Sequence, residues 1–161
     1  MNASFFKNPI VKNILSAVTV AVFGFVLLII TFLLDFLFQS LIDGIIAIFI
    51  PFDMNIAWNW SPLIKHAMFL IIIGLVSWFI FRSKLGVLYK AIYMTVPLAV
   101  VLVTMGMFLY RWPIIIYLLG SLFVIAVLYY FHRSKQHWLY YYTVILVGFV
   151  LAIFTLSGGE I

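Results

Sequence analysis

Asp35, Gln39 and Asp43 recur at steps of four in the run LLDFLFQSLIDGIIAIFIPFD, Leu33 to Asp53, which with Asp53 holds three of the chain's four carboxylates. Each step of four advances about 40° around an α-helix, so the three side chains form one narrow polar stripe. Ser40, Gly44 and Ala47 flank that stripe, and the rest of the circumference is Phe, Leu and Ile. Carboxylates in such a setting can take up protons or hold a cation. Lys65 and His66 stand side by side further along, and an imidazole supplies a base or a ligand near neutral pH. Asp35, Gln39, Asp43, Asp53, Lys65 and His66 are therefore the candidate binding or ion-coupling residues. A plainer reading stands beside this one: Asp35 ends a membrane span at headgroup depth, while Lys65 snorkels to that depth and neutralises an Asp. Asp43, set between Ile42 and a run of apolar residues, fits the plainer reading least.

Other chemistries find little support in the residue types. A single histidine near dispersed aspartates does not match zinc-ligand spacing, and no Asp-rich calcium loop is present, so neither a metal nor a cofactor is expected. Neither a His-Glu-x-x-His helix nor a nucleophilic serine with a histidine partner can be found, which argues against an enzyme. Ser77, Ser121 and Thr104 lie in apolar segments, where hydroxyls ordinarily bond to their own helix or a neighbouring one. Met94, Met105 and Met107 read as adaptable packing. With no cysteine in the chain, disulfides and thiolate chemistry are excluded.

The elements that must carry these residues follow from composition. Of 161 residues, 68% are hydrophobic and only 8% charged, far from the soluble balance of about half apolar and a quarter charged. The expected fold class is an all-α integral membrane protein with no separate soluble domain. Five apolar segments reach spanning length, at about residues 13–34, 62–81, 91–110, 113–131 and 138–156. Segments of about 20 residues without period-2 alternation make helices and not a barrel. Ser61-Pro62 and Pro113 read as helix starts, Gly158-Gly159 as the end of the last span, and Pro97 as a bend inside the third. Gly74 with Ser77, Gly120 with Ser121, and Gly148 with Ala152 are candidates for close helix packing.

A straight helix from Lys12 to Ile50 would measure about 58 Å, almost twice the hydrocarbon thickness of a bilayer. Two short spans with a turn near residues 30–33 would lack any Gly, Pro, Asn or Asp to make that turn. The expectation is one span ending near Leu34, followed by an amphipathic or re-entrant helix at about 35–50 on the outer face.

The net charge of +5 comes from nine Lys and Arg scattered singly or in pairs, which excludes a nucleic-acid stripe and reads instead as a topology signal. With the N-terminus inside, Lys7, Lys12, Arg82, Lys84, Lys90, Arg133 and Lys135 are cytoplasmic, whereas Lys65 and Arg111 are outside. The inner-surface loops carrying Arg82, Lys84, Lys90, Arg133 and Lys135 read mainly as positive-inside loops with a Trp and Tyr belt. Anionic headgroups or an acidic partner are the functional alternative. Small size and simple loops point to a bacterial cytoplasmic membrane.

Three functions are compatible with this inventory. The leading expectation is a non-enzymatic accessory, regulatory or protective component that binds another membrane protein or a second copy of itself within the lipid. The alternative is a small proton- or cation-coupled transporter or channel using Asp43 and Asp35. The third is an outer-leaflet lipid-modifying enzyme using His66 and an Asp.

Overall fold

The computed structural model of the protein describes residues 8–49, 55–109 and 111–156. They form five helices in chain order: α1 (Pro9–Phe49), α2 (Asn55–Arg82), α3 (Val87–Leu109), α4 (Pro113–Arg133) and α5 (Trp138–Leu156). No strand occurs among the described residues. Each helix contains a stretch long and apolar enough to cross a membrane.

Helix α1 differs from the expectation. Its 41 residues run without interruption, so the segment at 35–49 is the second half of the same helix and not a separate element. The local chemistry explains this. No proline interrupts the run after Pro9, and its aliphatic residues favour helix continuation strongly enough to carry the helix through Asp43-Gly44, a pair that elsewhere marks turns. At about 1.5 Å per residue the helix is about 61 Å long. Bilayer thickness limits how much of a helix sits in hydrocarbon, not where the helix must end, because the excess can tilt or protrude. Its start is capped as the residue types dictate: Asn8 Oδ1 accepts a 3.0 Å hydrogen bond from the Ile10 backbone N–H, with Pro9 at the first helical position. Helix α2 also begins early, at Asn55, which leaves Pro62 inside it instead of at its start. Pro113 opens α4 as expected, and α3 continues through Pro97.

Helix α3 is the axis of the bundle and packs against all four others, which surround it in the order α2, α1, α5, α4. Its buried residues, among them Ala91, Met94, Leu98 and Ala99, join Val20 of α1 and Leu139, Val144 and Val147 of α5 in one core. Two close approaches hold this core together. A Cβ added to Gly24 of α1 would lie 2.6 Å from the Thr95 methyl of α3, so only glycine fits, and the Thr95 hydroxyl lies 3.4 Å from the Gly24 carbonyl oxygen. On the other side, Thr143 of α5 is fully buried and its hydroxyl reaches the Ala91 carbonyl of α3 at 3.3 Å. The packing glycines expected from sequence do less. Nothing lies within 4 Å of a Cβ on Gly74, and those on Gly120 and Gly148 would meet Leu102 and Val124 at ordinary contact distance. Helix α4 is peripheral, with no buried residue.

Candidate functional site

Helices α1 and α2 run antiparallel, which sets the second half of α1 against the early part of α2. Helical side chains lean toward their own N-terminus, so across an antiparallel pair Asp43 and Lys65 lean toward each other. The Lys65 ammonium meets Asp43 Oδ1 at 2.5 Å. The burial is uneven: the Lys65 side chain is 9% exposed and that of Asp43 is 46% exposed. The aliphatic stem of Lys65 is thus sunk between helices while its carboxylate partner keeps access to the surroundings.

Two turns before Asp43, Asp35 lies deeper, its side chain 14% exposed. Gln39 Nε2 donates to Asp35 Oδ2 at 3.0 Å, so the stripe read from sequence spacing is bonded along its own helix. His66 Nδ1 faces the same carboxylate oxygen at 3.6 Å. On its other side His66 Nε2 lies 3.0 Å from the Thr104 hydroxyl of α3. One turn further along both helices, the rings of Phe38 and Phe69 meet with centroids 6.0 Å apart.

The hydrogen bonds favour one imidazole tautomer. The Thr104 hydroxyl gives its one proton to the Val100 carbonyl at 2.5 Å, so toward His66 it can only accept. In that arrangement the proton of the neutral ring sits on His66 Nε2. Nδ1 and Asp35 Oδ1 are left as buried polar atoms without a hydrogen-bond partner among the described residues. With no proton on Nδ1, its lone pair faces a carboxylate lone pair and the contact is repulsive. With one proton, on Nδ1 as imidazolium or on Asp35 as carboxylic acid, the contact becomes attractive and can close to hydrogen-bond length.

The structure thus brings Asp35, Gln39, Asp43, Lys65 and His66 together between α1, α2 and α3, and adds Thr104, which sequence reasoning had set aside as an ordinary helix-bonding hydroxyl. The available signal for Thr104 was topological: alternating helices bring the late part of α3 level with the late part of α1 and the early part of α2. Asp53 lies outside the described residues. Ser40 bonds to its own helix through the Phe36 carbonyl, and a Cβ on Gly44 would meet nothing within 4 Å, so neither contributes to the site. Among the described residues no group of three or more His, Cys, Asp or Glu could hold a metal ion. At Asp43 the cation is the protein's own Lys65.

The basic residues cluster at the opposite end. Arg82 stacks its guanidinium 5.1 Å from the centre of the Trp78 ring, and Lys90 Nζ donates to the Phe81 carbonyl at the end of α2, at 2.8 Å. Lys84, Arg133 and Lys135 are exposed on the α2–α3 and α4–α5 turns. Comparison with known proteins finds no matching family model, no matching curated protein and no matching solved structure.

Proposed function

We propose that this is an integral membrane protein that takes up and releases one proton at the Asp35–His66 pair, as a small proton-coupled transporter or channel. The observation that carries the reading is the His66 Nδ1 to Asp35 Oδ2 contact, with a buried polar atom on each residue that has no partner among the described residues. Ionisable groups facing one another inside a transmembrane bundle are the usual elements of proton relays. Asp43, half exposed beside buried Lys65, stands on the access side of the pair and tunes entry. In this reading the end bearing Arg82, Lys84, Lys90, Arg133 and Lys135 faces the cytoplasm of a bacterial cell, with the N-terminus inside and the C-terminus outside. Because the chain has no cysteine, Ser134→Cys and Trp112→Cys report this directly. An impermeant maleimide added outside intact cells should label only the second.

Purified protein in liposomes loaded with a pH-sensitive dye, under a potassium diffusion potential, should carry a proton flux. Asp35→Asn and His66→Ala should abolish it, and Asp43→Asn should slow it. Equal flux in wild type, Asp35→Asn and His66→Ala would overturn the assignment. No flux in the wild type would return the protein to the accessory role expected from composition.

A further inference from the structure

Helices α2 and α4 do not touch among the described residues, and between them the side of α3 lies open as a groove of about 580 Å³. That volume falls within the range of ligand pockets, and its mouth opens laterally, where lipid would stand. Its floor is apolar, made by Met94, Pro97, Leu98 and Val101 of α3 and by Phe123 and Val127 of α4. Its end at the two basic turns is polar, with Lys90, Gln136 and Tyr140 among the lining residues.

Three observations give the polar end a ligand preference. Lys90 is half-buried and spends one of its three ammonium donors on the Phe81 carbonyl, leaving two. Tyr140 is only 8% exposed and lines the groove, where its phenol can donate or accept a hydrogen bond. Arg82, Lys84, Arg133 and Lys135 surround this end, whereas the described carboxylates, Asp35 and Asp43, lie at the other. Another cavity, about 370 Å³ between α3, α4 and α5, offers Ser121, Thr155 and Tyr117 as its polar groups and no charge.

We propose that the groove between α2 and α4 binds a membrane phospholipid with an anionic headgroup, its phosphate on Lys90 and Tyr140 and an acyl chain along the floor past Pro97. Basic pockets between helices at a membrane surface recognise such headgroups by charge, and the apolar floor adds burial of the chain. The inference is independent of the proton reading, since the two sites share no residue.

The test uses the full-length protein reconstituted in equimolar phosphatidylglycerol and phosphatidylcholine, extracted gently and weighed with its retained lipids by native mass spectrometry. The wild type should retain phosphatidylglycerol in preference. Lys90→Gln should lower that preference about fivefold, Tyr140→Phe by less, and Lys90→Arg should keep it. Val127→Trp, which fills the floor, should lower retention of both lipids, and Lys135→Gln should change nothing. Equal retention of the two lipids by the wild type would overturn the proposal. So would a retained fatty acid in place of phospholipid, or a loss in Lys135→Gln as large as in Lys90→Gln, which would reduce the effect to general surface charge. Should Lys90→Gln not fold, unchanged preference in Tyr140→Phe together with unchanged retention in Val127→Trp would refute it.

Discussion

The two ends of the bundle are held together by different physics. Near the basic turns, α1, α3 and α5 meet through backbone and short side chains: Gly24 against Thr95, and Thr143 against the Ala91 carbonyl. At the other end, α1, α2 and α3 meet through long ionisable side chains, with Lys65 on Asp43 and His66 between Asp35 and Thr104. Close-packed backbone has one arrangement and no protonation state. A contact between imidazole and carboxylate has two, one attractive and one repulsive. The bundle is thereby pinned by close packing at one end and held by ionisable side chains at the other, which is the end that the proposed proton uptake would adjust.

The pinned end is where substitution should cost most. A methyl on Gly24 would collide with Thr95, a stiff β-branched residue that is 2% exposed, so neither side can yield without moving a helix. Gly24→Ala should destabilise the protein by about 1–3 kcal/mol, the usual range for overpacking, read as a lower midpoint of unfolding in mixed detergent micelles. Thr95→Ser removes the methyl that lies 2.6 Å away, and combined with Gly24→Ala it should restore much of the loss. Gly74→Ala is the control. With open space around its Cβ it should be neutral or stabilising by up to about 1 kcal/mol through helix propensity. Equal losses at Gly24 and Gly74 would show that the fit of Gly24 against Thr95 is not what pins α1 to α3.

At the adjustable end the two partners of one ion pair should behave unequally. Asp43→Asn strips the counter-charge from a buried ammonium, while Lys65→Met leaves a carboxylate that is half exposed and can be solvated. The expected costs are about 1–3 kcal/mol for Asp43→Asn and below about 1 kcal/mol for Lys65→Met, by the same unfolding measurement. The double variant should be no worse than Asp43→Asn alone, because it removes the charge that was stranded. A larger loss in Lys65→Met than in Asp43→Asn would show that the pair matters through the exposed carboxylate instead.

How far the sequence carries this picture depends on the range of the interaction. Five apolar helices and the turns near residues 83–86 and 134–137 were legible, because hydrophobic run length is a local property. The i, i+4, i+8 spacing of Asp35, Gln39 and Asp43 likewise announced one shared face. The continuity of α1 was also written locally, in the absence of any proline between Ile10 and Phe49 and in the aliphatic residues on both sides of Asp43-Gly44. A global argument from bilayer thickness obscured it, since that argument constrains depth and not helix ends. Gly24 and Thr95 were not legible, since they are 71 positions apart and only the fold shows that one fits the other. Thr104 was hidden for the same reason: a hydroxyl that bonds to its own helix looks ordinary until a histidine from α2 arrives on its free lone pair.

A small gain in stability, not a loss, is expected at the pinned end, in the α4–α5 turn. There the Gln136 N–H bonds to the Phe131 carbonyl at 3.0 Å and the Lys135 N–H to the His132 carbonyl at 3.2 Å, the paired bonds of a Schellman motif. Lys135 takes the left-handed position, with φ of 50°, which helices that end in this way usually give to glycine. The positive charge is therefore held against a backbone preference of about 1 kcal/mol. Lys135→Gly should raise the unfolding midpoint by an amount of that order, and Lys135→Ala should leave it nearly unchanged, because alanine removes the charge and keeps the Cβ. If the two variants are equally stabilised, the gain came from relieving repulsion among Arg133, Lys84 and Arg82. The basic end would then be limited by its charge, not by its backbone.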